Sequence, residues 1–500
     1  MKEKVYYITT SIMYTNAGPH IGFALELLQV DIIARYQRIF KNKEVFFLTG
    51  TDDHGLKIAQ AAEKNNTSYK EFVDHNANLL KELIKKLNIS NNDFIQTSDK
   101  ERHYPSVIKV WNNLLKNNDI YKKKYTGHYC IGCEAFLTKK DISNGKCIYH
   151  NKELEKVEEE NYFFRLSKYL PKIKKIIENE EVEISDKYKK ETLEIIENLE
   201  DVSFSRKREQ VKWGIPVPND DNQLIYVWAD ALTNYLSAID YQNEGESFNR
   251  WPADIQIIGK DILKFHSTIW LGILISLKLP LPKKIFVHGF VLDADGRKMS
   301  KSLGNTVDPL SLIEKYGTDT IRYFMLKEIH PSQDSNLSLE KIEKIYNADL
   351  VKDLGNLISR VLTIIEKSDF IFEKGDISEE IKNIINRNFL KYQEDMENLE
   401  FNQAIQKINT IISFANQYVD INKPWEKNKN QKRYLYQLLI IFINFVKMLY
   451  IIIPKTSERI LDQLDLKITE LKLNETELAF DFSNCKIRKG EHLFKKQEVF

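Results

Sequence analysis

Five hundred residues exceed what one hydrophobic core serves and imply about three domains. With 42% hydrophobic and 29% charged residues, the composition excludes a disordered chain. Lys+Arg number 73 against 72 Asp+Glu, so the net charge is +1 and no global field draws in a polyanion. Contact with nucleic acid has to come from local patches.

The opening residues MKEKVYYITT alternate like a strand and lack the apolar core of a secretory signal, so a cytoplasmic enzyme is expected. Val5–Thr10 reads as a strand, Asn16-Ala17-Gly18-Pro19 as a loop, and His20 to Phe40 as a helix with Phe23, Leu27, Val30 and Ala34 at helical spacing. A second strand, Val45–Leu48, ends in Thr-Gly-Thr-Asp-Asp-His-Gly. Strand, helix, strand is a βαβ unit and predicts a parallel sheet. Residues 69–116 read as helical, and Tyr121 to Pro218 as an irregular insertion. The α/β pattern returns with strands at Asp254–Gly259 and Lys284–Val291 around a helix near Leu263–Ser276. From Leu339 to Gln463 the periodicity is helical throughout. The longest apolar run, Leu438–Ile453, is interrupted by Asn444 and Lys447 and stopped by Pro454, so it predicts a buried helix rather than a membrane span.

Two stretches carry nucleotide chemistry. His20-Ile21-Gly22 opens a helix, where free backbone N–H groups favour phosphate, Gly22 lets a purine pack on the backbone, and His20 offers a donor. Alone, the tripeptide reads as a helix cap with an incidental His. Lys298-Met299-Ser300-Lys301-Ser302, between Gly296 and Gly304, is a cationic loop able to close over a triphosphate and neutralise departing pyrophosphate. Alone, it is equally a solvated basic turn. A third pattern concerns metal. Cys130-x2-Cys133, thirteen intervening residues and Cys147-x2-His150 have the spacing of a closed, structural Cys3His zinc site. His128 is a spare ligand candidate, and the fourth cysteine, Cys485, reads as an inert thiol.

His20-Ile21-Gly22-Phe23 paired with the Lys298–Ser302 loop resembles the signatures of class I aminoacyl-tRNA synthetases. Tyr14–His20, Thr49–Gly55, Glu160–Leu166, Lys212–Pro218, Tyr226–Leu232, Ile258–Asp261 and Phe265–Ser267 narrow the resemblance to the methionyl-tRNA synthetases, from Val5 to about Phe494. It implies an α/β fold: a Rossmann-type parallel-sheet catalytic domain, an inserted connective domain with a zinc knuckle, and a C-terminal α-helical bundle. The expected division is 1–118 and 221–290 for the catalytic halves, 119–220 for the insertion, 291–345 for the stem-contact region with the lysine loop, and 346–500 for anticodon binding and tail.

The resemblance also implies roles. Ile12, Trp228, Ala231, Leu232, Tyr235, Ile262, Phe265, His266 and Trp270 would enclose methionine, with Tyr235 and His266 near sulfur and Asp52 on the ammonium. ATP would meet His20, Gly22, Phe23, Glu26, Gly259 and Asp261, with Lys298 and Lys301 on pyrophosphate and Mg²⁺ accompanying the nucleotide. His20, Lys298 and Lys301 would be the catalytic groups. Asn356, Arg360 and Trp425 would read the anticodon of initiator and elongator tRNA(Met). Residue by residue, ordinary core packing accounts better for the apolar pocket positions, so their assignment rests on the motif match; for Asn356, Arg360 and Trp425 the match of all three favours the functional reading over a solvated face and a core tryptophan. Phe23 departs from the family, which has a second His there, and a lost donor costs about 2–4 kcal/mol of transition-state stabilisation. Another class I synthetase, or a catalytically weakened tRNA-binding relative, therefore remains an alternative. The chain ends without room for the β-barrel that often carries dimer contacts in this family, so a monomer is expected.

Overall fold

The computed structural model describes residues 4–130, 135–137, 142–149, 153–299 and 304–495. The chain forms two compact units, one of residues 1–19, 44–85 and 90–288, the other of residues 20–43, 86–89 and 289–500.

The first unit is built on an all-parallel sheet. Its strands are β1 (Tyr6–Thr9), β2 (Met13–Tyr14), β3 (Val45–Asp52) and β4 (Asp93–Gln96), then, after the insertion, two more. The insertion is led by the antiparallel pair β5 (Ile120–Cys130) and β6 (Glu155–Phe164), with Ala135–Leu137 and Val202–Ser203 on its edges, followed by the helices Leu170–Glu178 and Asp186–Ile196 and a small three-stranded sheet. The sheet then resumes with β7 (Ile255–Gly259) and β8 (Ile285–His288). The order is β8-β7-β1-β3, with β2 and β4 also on β3. Successive strands thus run outward from β1 in one direction and then, from β7, in the other. The reversal between β1 and β7 opens a crevice at the strands' carboxyl ends, the usual ligand position in such sheets. All eight residues of β3 are buried, as expected of a parallel strand covered on both faces.

The expected helix over 69–116 is two helices, Tyr69–Lys86 and Tyr104–Lys116, with β4 between them. Asp93–Gln96 is too short for its alternation to stand out, and its pairing with Leu48–Thr51 is non-local. The insertion is regular rather than irregular, because the long β5–β6 ladder carries Lys and Glu along much of its length and shows no apolar period.

The second unit is helical. It contains α1 (Ile21–Ile39), α2 (Pro309–Tyr316), α3 (Thr318–Glu328), α4 (Asn356–Glu366), α5 (Glu379–Glu397), α6 (Phe401–Asn422), α7 (Gln431–Leu449) and α8 (Pro454–Leu464). Residues Leu435–Leu449 of α7 are all buried, so the apolar run is a core helix. No helix among the described residues is long and apolar enough to cross a membrane. A fully buried ion pair ties α1 into this unit. Arg322 of α3 meets Asp31 of α1 at 2.7 Å and donates to the carbonyls of Leu87 (3.0 Å), Ile451 (3.1 Å) and Ile452 (2.7 Å). The guanidinium fork satisfies four acceptors that burial would otherwise leave costly.

Candidate active site

Two segments of the first unit build an aromatic cluster. Val227–Ala231 is a single helical turn carrying Trp228 and Ala231. Phe265–Trp270 is a π-helical turn, whose wider winding re-aims side chains and is frequent at functional sites. Trp228 and Phe265 stack at 3.8 Å with their planes 7° apart. His266 lies edge-on to Trp228 at 6.4 Å, and Tyr235 contacts both His266 (5.8 Å) and Trp270 (5.6 Å). Leu232, Tyr235 and Trp270 belong to the buried core of this unit, and the half-buried Ile12, Trp228, Ile262 and Phe265 pack against it. Ala231 is buried.

One polar pair sits inside this apolar wall. The Tyr235 hydroxyl is 2.8 Å from His266 Nε2, and His266 Nδ1 is 3.1 Å from the Ile262 carbonyl. A carbonyl only accepts, so Nδ1 carries the proton, Nε2 accepts, and Tyr235 donates. Burial lowers the His266 pKa to about 4, so the ring is neutral at neutral pH. Asp52 ends β3 and is buried, with its carbonyl accepting from the backbone N–H (3.0 Å) and hydroxyl (3.1 Å) of Thr15.

Ile12 follows β1, and Gly259 ends β7, on the two sides of the crevice. A Cβ on Gly259 would stand 2.8 Å from Asp261 Oδ1 and 3.7 Å from the His288 ring. The Asp261 carboxylate therefore lies over bare backbone that any side chain would cover.

In the second unit His20 caps α1. Its Nδ1 accepts from the Phe23 N–H at 3.2 Å, so the neutral ring carries its proton on Nε2. The His20 ring folds over the first turn, 3.1 Å from where a Gly22 Cβ would be. Phe23 and Glu26 are buried within α1. Asp293 anchors the lysine loop: it accepts from Asn305 Nδ2 (2.8 Å), Arg297 Nε (2.9 Å) and the backbone N–H groups of Asp295 (3.0 Å) and Arg297 (2.8 Å). The Asn305 and Arg297 bonds hold its carboxyl down to about 2. Gly296 (φ 77°) and Gly304 (φ 64°) flank the loop in the left-handed region that favours glycine. Lys298 is exposed, its Nζ 4.0 Å from the Phe290 ring centroid. Lys301 lies outside the described residues.

Cys130 and Cys147 are brought together in one buried cluster with Leu137, covered by Ile142 and Leu154. Cys133 and His150 lie outside the described residues. Among the described residues no group of three or more His, Cys, Asp or Glu is placed to hold a metal. Asn356 opens α4, and Arg360, one turn on, pairs with Asp420 of α6 at 2.9 Å. Trp425, just past α6, is 47% exposed, which a core tryptophan is not.

Four residues to which the sequence motifs assign no role also stand out. They are Asp293, and the buried trio His54, His103 and Asp230. Asp-Ala-Asp-Gly before the lysine loop was the available signal for the first. Nothing local signals a trio drawn from three distant segments.

A parallel sheet reversing at β1, a histidine-capped helix after it and a glycine-flanked lysine loop define a class I aminoacyl-tRNA synthetase. The family model described as tRNA synthetases class I (M) matches residues 6–153 and 138–362, and an anticodon-binding domain of tRNA ligases matches 379–492. The chain is 37% identical to the methionine–tRNA ligase of Clostridium tetani over 100% of its own length and 79% of that protein's. It is 39% identical to that of Caldanaerobacter subterraneus over 99% and 80%. The crystal structure of Mycobacterium tuberculosis methionyl-tRNA synthetase bound by methionyl-adenylate superposes with a TM-score of 0.90 at 31% identity, covering 98% of this chain and 100% of that one. The chain belongs to the methionyl-tRNA synthetases: it is a methionine–tRNA ligase.

Proposed function

We propose that this ligase reads methionine in the slot of Trp228, Phe265, His266, Tyr235 and Trp270. Ile12, Ala231, Leu232 and Ile262 complete its apolar lining, and Asp52 holds the ammonium. The observation that carries the reading is the Tyr235–His266 pair, an oriented polar contact inside an otherwise aromatic wall. An unbranched thioether asks for that combination. Adenosine packs on Gly259 with its ribose hydroxyls on Asp261. His20 Nε2 donates to phosphate above Gly22, with Phe23 and Glu26 behind it, and Lys298 and Lys301 take the pyrophosphate. Mg²⁺ enters with ATP.

Methionine carboxylate attacks the α-phosphorus. The bond to the bridging oxygen breaks, giving methionyl-adenylate and pyrophosphate. The terminal ribose hydroxyl of tRNA(Met) then attacks the activated carbonyl and AMP leaves. Both steps need positioning and charge stabilisation rather than a nucleophilic side chain.

Asn356, Arg360 and Trp425 read the anticodon; for Trp425 the support is its exposure and its place within the matched anticodon-binding domain. The division into 1–118, 119–220, 221–290, 291–345 and 346–500 belongs to the same reading, as do a monomeric state and a cytoplasmic location. A structural zinc ion suits the Cys130–Cys147 cluster, since thiolates are its preferred ligands. Cys133 and His150 would complete the set and hold the insertion's tip. Metal analysis finding no zinc in the purified chain, or equal zinc after Cys147→Ser, would remove that assignment.

Amino-acid-dependent ATP–pyrophosphate exchange tests the whole. Methionine supports exchange while leucine and valine do not. Exchange with leucine or valine in place of methionine would reject the pocket. No exchange with any amino acid, while tRNA still binds, would favour a relative weakened at Phe23.

A further inference from the structure

Behind the slot lies a group of ionisable side chains that the reaction does not use. Asp230, His54 and His103 are all essentially inaccessible to solvent. Asp230 Oδ2 is 2.6 Å from His54 Nδ1, and Oδ1 is 2.6 Å from His103 Nε2. Burial opposes the charge on Asp230, yet the two imidazoles keep its carboxyl below the ordinary range. Both rings therefore donate to a carboxylate.

The outer nitrogens are held as well. The Tyr104 hydroxyl is 3.2 Å from His54 Nε2. Ser237 Oγ is 2.9 Å from His103 Nδ1 and 3.1 Å from the Thr233 carbonyl. Both imidazoles are thus held at both ring nitrogens in a site that water does not reach.

The three residues join three elements. Asp230 is on the single turn that presents Trp228 and Ala231. His54 comes two residues after Asp52 at the end of β3. His103 directly precedes the helix Tyr104–Lys116. A five-residue helix has little stability of its own and must be held by its partners. We propose that Asp230, clamped by His54 and His103, is a positioning residue for amino-acid selection: it sets the Trp228 turn against the Asp52 strand end. The spacing between pocket floor and ammonium anchor is then fixed before methionine arrives. The inference rests on the roles given above to Trp228 and Asp52.

Pyrophosphate exchange with the full chain tests it, varying L-methionine at saturating ATP and then the reverse. Asp230→Asn and His54→Ala each raise KM for methionine by roughly tenfold or more while KM for ATP stays within about twofold. His54→Asn, whose amide N–H replaces Nδ1–H, restores most of the loss. Both KM values rising together, kcat alone falling, or His54→Asn behaving like His54→Ala overturns the proposal. Should Asp230→Asn fail to fold, the two His54 variants decide by the same criteria. Trp228→Ala and Asp52→Asn are measured alongside. If these leave KM for methionine unchanged, the pocket reading fails and the inference with it. If they raise it and the clamp variants do not, the inference alone fails.

Discussion

Tyr235→Phe removes one oxygen and nothing else from the slot. His266 Nδ1–H is committed to the Ile262 carbonyl, so the variant leaves Nε2 as an acceptor facing an apolar wall. The ring cannot escape the loss by protonating, because burial holds its pKa near 4. Leaving a buried acceptor unpaired costs about 1–3 kcal/mol. The residue is 1% exposed, so solvent does not replace the lost donor. Where methionine binding depends on the oriented pair, that energy appears as a roughly 5- to 150-fold higher KM for methionine in pyrophosphate exchange. KM for ATP stays put. Urea unfolding of the same variant measures how much of the loss falls on the fold instead. Unchanged KM and unchanged stability together would show that Tyr235 does not donate to His266, and the proposed reading of sulfur would go with it.

The same histidine makes stability depend on pH. Its folded value of about 4 lies below the ordinary 6.5, so the unfolded chain takes up the proton first. Its contribution is complete above about 6.5 and is lost as pH falls toward 4, by roughly 3 kcal/mol in all. His266→Gln flattens the urea-midpoint profile across that window; an identical slope in the variant would contradict the assignment. Asp31→Asn leaves Arg322 buried without its counter-charge and destabilises the chain by about 3–5 kcal/mol, read by denaturant unfolding. A loss near zero would mean that the four-acceptor cradle does not need the carboxylate. Lys298→Ala and Lys301→Ala each slow adenylation far more than they weaken methionine binding; equal losses in rapid-quench and equilibrium-binding measurements would argue against a leaving-group role.

The strands that carry the crevice were legible because they are short, apolar and bounded by turns: Tyr6–Thr9 and Ile255–Gly259 fall where the pattern put them, while the strand expected over Val45–Leu48 runs on to Asp52 through Thr-Gly-Thr, which carries no apolar signal. The helix capped by His20 was equally plain, since Phe23, Leu27, Val30 and Ala34 keep one apolar face. Its grouping with the helical unit was not, because that depends on Asp31 meeting Arg322 almost three hundred positions away. The helix near Leu263–Ser276 was foreseen, but not its π-helical first turn, since periodicity does not separate the two windings over six residues. The residues of the slot became visible through motif resemblance. Their apolar character alone describes any core, and the orientation of His266 follows from a hydrogen bond that no spacing encodes. The Asp230 clamp was illegible for the same reason, being assembled from residues 54, 103 and 230.

The central claim is that one aromatic slot with one oriented polar pair selects the amino acid at the carboxyl ends of the sheet. A crystal structure with a non-hydrolysable methionyl-adenylate analogue tests it most directly. The thioether is expected between Trp228 and Trp270, beside Tyr235 and His266, with the ammonium at Asp52 and the adenosine on Gly259 and Asp261. A methionyl side chain seated away from Tyr235 and His266 would contradict the account.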